Sequence, residues 1–122
     1  MTPPDPPIEK LIPLKPKDHY ILYALLDENR YGYAIAQEIS RLSEGRVRVE
    51  AGNLHRHIQK LIRQGLVEPS EAKPTPDVED ERRRYYTITD AGRQVWKADI
   101  RHMESLIRAA RKRSSPPNAR GV

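Results

Sequence analysis

The apolar residues of this 122-residue chain change period twice, from helical to strand-like and back, and that order limits the folds open to it. Ile21, Leu22, Leu25 and Leu26 form a first helical stripe, starting at Pro16 and ending near Asn29. Proline suits a first helical turn, where its missing N–H would bond nothing anyway. A second pattern starts around Gly32 and carries Ile35, Ala36, Ile39 and Leu42 before Gly45 stops it. A third opens near Gly52 and turns Leu54, Ile58, Leu61 and Ile62 inward. Gly65 follows, free to take the left-handed conformation that closes helices. The period then shortens. Leu66–Glu68 is β-prone, residues 71–81 hold Pro74 and Pro76 and read as a loop, and Tyr85–Ile88 is aromatic and β-branched. Thr89 or Asp90 caps a last helix that runs to about Arg113. Three helices, a hairpin and a helix predict a mostly α fold with a small β-hairpin. That is a winged helix-turn-helix over residues 16–89, with a C-terminal dimerisation helix over residues 90–113.

The ends read differently. Pro3, Pro4, Pro6, Pro7, Pro13 and Pro16 crowd the first sixteen residues, so 1–15 is expected as a flexible tail, with Ile12 and Leu14 docking at most. Residues 114–122, with Pro116, Pro117 and Gly121, are expected as a second, disordered tail. A chain of this length makes one compact domain and leaves little material for a large enzyme cleft. With no Phe and one Trp, the core falls to Leu, Ile, Val, Ala and Tyr. The absence of cysteine excludes disulfides, Cys-ligated zinc and thiol catalysis, and fits the cytoplasm. The first ten residues lack an apolar core and no apolar run approaches membrane length, so neither a signal peptide nor a membrane span is expected.

A formal net charge of +5 suits a polyanion, because Lys and Arg displace counterions from phosphates. The third helix shows where that charge sits. Opposite its apolar stripe it presents Asn53, Arg56, His57, Lys60 and Arg63, with His55 near its start. Arg and Lys can donate to guanine O6 and N7, and Asn can pair both ways with adenine. A merely solvated helix face is the competing reading. Arg82, Arg83 and Arg84 follow the wing loop at the base of the second strand, placed to grip phosphates, although Glu79, Asp80 and Glu81 next door could pair with them. The wing tip is acidic, with Lys73 its only cation before the arginine run, so contact is expected from the wing base. On the last helix Trp96, Ile100, Met103, Ile107 and Ala110 are spaced 4, 3, 4, 3, a seam for pairing with a second chain. Packing back onto the domain is the alternative, and Trp96 could also line a ligand pocket.

These residues resemble the PadR family of bacterial regulators. Tyr31-Gly32-Tyr33-Ala34-Ile35 is similar to the family's Gly-Tyr motif opening the second helix. Gly52-Asn53-Leu54-His55, with Gly65-Leu66-Val67, is similar to its recognition-helix motifs. Arg82 to Thr89, with Gly92, is similar to its wing strand. The resemblance spans about Leu14 to Arg111. It implies a homodimer on double-stranded DNA carrying an inverted-repeat operator, usually as a repressor, and in some members a small aromatic effector at the dimer interface. His55 and Arg56 stand where the family has Tyr and Pro, so the operator does not transfer by analogy.

Two other function classes compete. One is a winged-helix module that binds proteins, in which the basic helix face is incidental. The other is an enzyme or metal sensor. His19, His55, His57 and His102 do not fall at ligand spacing, and no phosphate loop or nucleophile elbow is present, so no catalytic residue, metal or cofactor is expected.

Overall fold

The computed structural model describes residues 7–71 and 84–114. Its elements run α1 (Ile8–Leu11), α2 (Pro16–Ala24), β1 (Arg30–Tyr31), α3 (Gly32–Leu42), α4 (Ala51–Arg63), β2 (Val67–Ser70), β3 (Tyr85–Ile88) and α5 (Asp90–Arg113). The expected order is present, with two additions at places the apolar pattern does not mark.

The first addition is α1. Residues 7–15 do not form a free tail: Ile8, Leu11, Ile12 and Leu14 pack against the core. Four apolar side chains in seven positions outweigh the prolines, and Pro7 stands just before the helix, where its missing N–H costs nothing. The second addition is β1, which lies antiparallel to β3 with Arg30 opposite Tyr86. The hairpin is therefore a three-stranded sheet in the order β1-β3-β2. Pro69 sits in β2, an edge strand, where a missing N–H is tolerated.

α2 is the hub. It packs against α3, α4 and α5, and Ile21, Leu22, Ala24 and Leu25 are all essentially inaccessible. A helix surrounded on most sides needs apolar residues on most sides, which is why it ends at Ala24 with little one-sided character.

One joint fixes where α4 ends and α5 begins. Gly65 takes a φ of 77°, and the N–H groups of Gly65 and Leu66 donate to the carbonyls of Ile62 and Leu61, the Schellman arrangement. The Thr89 hydroxyl donates to the Gly65 carbonyl at 2.6 Å and accepts the Gly92 N–H at 2.9 Å. Its own N–H bonds the Leu66 carbonyl. A Cβ on Gly92 would lie 2.2 Å from that carbonyl oxygen, so only glycine lets α5 start this close to the end of α4. The Thr-x-x-Gly spacing in the sequence is this joint.

Candidate nucleic-acid interface

α3 and α4 form a helix-turn-helix whose angle is set by its turn. Glu44 and Gly45 are both left-handed, with φ of 55° and 78°, and the Gly45 N–H returns to the Ser40 carbonyl at 2.7 Å. The buried Ser43 hydroxyl accepts the Val47 N–H at 2.9 Å. Leu54, Ile58 and Leu61 then seat α4 on the core. A helix anchored by one stripe holds its opposite face at a fixed height above the domain, which reading a groove requires.

The five residues expected on that face divide into two groups. Arg56 and Arg63 are exposed, and His55 joins them at the helix start. The Arg56 guanidinium donates to Asn53 Oδ1 one turn back and keeps further N–H donors. His57 and Lys60 instead turn toward α2. His57 Nδ1 lies 2.7 Å from Asp18 Oδ1, and the Lys60 ammonium pairs with Asp18 Oδ2. Asp18 is 3% exposed. At about 3.6 residues per turn, Gln59 falls between His55 and Arg63 on the outer side. Asp18 and Gln59 were not among the expected residues. A full wheel would have found Gln59, whereas the burial of Asp18 depends on how α2 lies beside α4.

Arg84, at the base of β3, is exposed. It meets His55 across an open cleft of about 520 Å³, walled by Tyr31, Tyr33, Leu54 and Tyr86. Tyr33 is 66% exposed, a large side chain left in water beside two cationic or donor groups. Lys73, Arg82 and Arg83, together with the wing tip, lie outside the described residues.

The stripe on α5 also divides. Trp96 packs on α2, with ring centroids 5.4 Å from Tyr23 and 5.7 Å from His19. Its Nε1–H is buried with no acceptor among the described residues. Ile100 and Met103 are half-buried, whereas Ile107 and Ala110 are exposed, with Leu106 beside them at 60%. Asp99, on the buried side, is completely inaccessible. It accepts the Leu14 N–H at 3.0 Å and lies 2.8 Å from His19 Nδ1. Among the described residues no helix is long and apolar enough to cross a membrane.

Comparison with known proteins agrees with this fold. The model of the transcriptional regulator PadR-like family matches residues 21–98, from the second turn of α2 into α5. The chain belongs to the PadR-like family. It is a DNA-binding transcriptional regulator, in a family of regulators rather than enzymes. An uncharacterised protein of Lysinibacillus sphaericus is 34% identical to this PadR-like chain over 77 residues, 62% of this chain and 67% of that one. A PadR family transcription regulator from Clostridium difficile superposes with a TM-score of 0.66 at 14% identity, over 83% of this chain and all of that one. A transcriptional regulator from Clostridium thermocellum superposes with a TM-score of 0.65 at 22% identity, over 81% and 90% of the two chains. Likeness at such low identity carries the fold. Which residues of this PadR-like chain meet DNA rests on its own geometry.

Proposed function

We propose that this protein is a repressor that binds an inverted-repeat operator as a homodimer in the cytoplasm. The observation that carries the reading is the outer face of α4. His55, Arg56 and Arg63 stand exposed on a helix whose other side is locked into the core. In this reading Arg56, Arg63, His55 and Asn53 meet base edges and nearby phosphates. Arg84 grips the backbone across the cleft, and Arg82, Arg83 and Lys73 extend the grip along the wing. His57 and Lys60 flank the same face.

Ile100, Met103, Ile107 and Ala110 form the dimer seam, with Trp96 at its inner end. The exposed apolar residues beyond Met103, Leu106 at 60% and Ile107 at 49%, support pairing, since apolar surface left in water favours a partner. Two-fold symmetry would present two copies of α4 to successive major grooves, about 34 Å apart. The aromatic cluster of His19, Tyr23 and Trp96, with an indole N–H that has no acceptor among the described residues, supports release by a small planar aromatic molecule at this junction.

The test is duplex selection from a random pool, followed by affinity against salt. A dimer touching about 8 phosphates loses roughly 10⁴-fold in affinity between 50 and 200 mM salt. The selected sites should be two-fold symmetric. A flat salt response, or no duplex bound at low salt, would mean a winged helix that binds protein.

A further inference from the structure

We propose that Asp18 is a positioning residue of the DNA-reading helix. Its buried carboxylate holds Lys60 and His57 against α2, keeps them off the phosphates, and leaves recognition to the outer residues of α4. This rests on the reading of α4 as the groove-reading helix.

The geometry carries the inference in three steps. First, the Asp18 side chain is 5% exposed, and a carboxylate in that position keeps its charge only if hydrogen-bonded or paired. Second, both of its oxygens are taken, Oδ1 by His57 Nδ1 and Oδ2 by the Lys60 ammonium. His57 and Lys60 are one turn apart on α4, 39 and 42 residues away in sequence, so one carboxylate clamps two successive positions of that helix. Third, the His57 and Lys60 side chains are 23% and 31% exposed. Their stems cover the seam between the two helices while the cationic end of Lys60 is directed at Asp18 rather than outward. Arg56 and Arg63 have no acidic partner among the described residues.

The functional consequence follows from how the two kinds of contact differ. A lysine on a phosphate strengthens binding to every sequence alike, whereas a guanidinium on a base edge strengthens binding to one. Lys60 held by Asp18 is subtracted from the sequence-independent part. Asp18 therefore lowers the sequence-independent part of the affinity, for operator and non-operator alike, and leaves discrimination to the outer residues of α4.

The experiment uses the full chain with Asp18→Asn, which keeps the shape and removes the charge. Affinity for an operator duplex and for an unrelated duplex is measured across 50–300 mM salt. With Lys60 released, the slope of log affinity on log salt should steepen by about 0.9 for each chain of the complex. Affinity for both duplexes should rise about eightfold per chain at 0.1 M salt, with the preference for the operator unchanged. Adding Lys60→Ala to Asp18→Asn should return the slope to that of the unaltered protein. A folded Asp18→Asn protein with an unchanged or shallower slope overturns the proposal. Should Asp18→Asn fail to fold, Lys60→Met alone decides. A clamped lysine makes no phosphate contact, so the slope stays as it was, and a slope shallower by about 0.9 per chain overturns the proposal. Failure of the unaltered protein to bind any duplex is a separate result, and sinks the DNA-reading role of α4 itself.

Discussion

Asp18 and His19 are neighbours on the first turn of α2, and they face opposite partners. Asp18 reaches outward to His57 and Lys60 on α4. His19 reaches inward to Asp99 on α5, which also accepts the Leu14 N–H. Both are histidine–carboxylate contacts of nearly equal length, 2.7 and 2.8 Å. They differ in what surrounds them. The α4 contact has water beside both basic groups. The α5 contact is closed, with His19 at 7% and Asp99 at 0% exposure. The same chemistry thus serves two ends: an adjustable clamp beside the outer face of α4, and a sealed joint that ties the N-terminal arm, α2 and α5 together.

The sealed joint should fail hardest. Asp99→Ala removes the acceptor for the part-buried Leu14 N–H and for the buried His19 ring, and leaves a small void. Unsatisfied buried donors cost about 1–3 kcal/mol each, so the expected loss is roughly 3 kcal/mol. For a domain whose whole stability is about 5–15 kcal/mol, that lowers the melting temperature on the order of 10 °C. The Leu14 amide should also exchange with solvent faster, because the N-terminal arm loses its anchor. Urea titration and hydrogen exchange measure both. A loss below about 1 kcal/mol would show that the two contacts are equivalent, and the contrast would collapse.

Asp18→Ala is the matched change at the open contact. His57 and Lys60 can swing to water once the carboxylate is gone, so no buried charge is stranded. The expected cost is about 1 kcal/mol, in the range of a partly solvated ion pair. The same titration checks it. A cost equal to that of Asp99→Ala would mean that Asp18 holds α2 and α4 together as firmly as Asp99 holds α5.

What could be read from the sequence, and what could not, follows the same division between local and distant causes. The stripes of α3 and α4, the left-handed Gly65 and the Thr89 cap are local, set by residues three or four apart, and they stand as expected. Three features are not local. β1 is two residues long, too short for any period, and exists only because β3 pairs with it 54 to 56 positions away. α1 reads as a proline-rich tail until α5 is there to receive it. The wheel of α4 groups His57 and Lys60 with Arg56 and Arg63, because it cannot show that Asp18 lies beside two of them. Trp96 is a similar case. Its heptad spacing groups it with Ile107, but His19 and Tyr23 draw it onto the domain.

The smallest expected effect on folding lies at the other end of α5, and it shows where the sealed joint stops. Val95, Ala98 and Asp99 are buried, Met103 is the last half-buried residue, and every residue from Glu104 to Arg113 is exposed. Ile107 is 49% exposed, with no carboxylate or ring contact among the described residues to hold it. Ile107→Asp should therefore change the unfolding free energy of a single chain by no more than about 0.5 kcal/mol, the usual range for a surface position. Its effect should appear only in assembly. Sedimentation should show a dimer become a monomer, because a charged side chain from each chain would replace the apolar contact at a two-fold seam. Operator affinity should fall with it, as one chain reads one half-site. The two readouts separate cleanly. If the monomer itself is destabilised by 2 kcal/mol or more, the far end of α5 packs on its own domain and the sealed joint extends past Met103. If folding and sedimentation are both unchanged, the dimer seam lies elsewhere and Ile107 is simply a solvated residue.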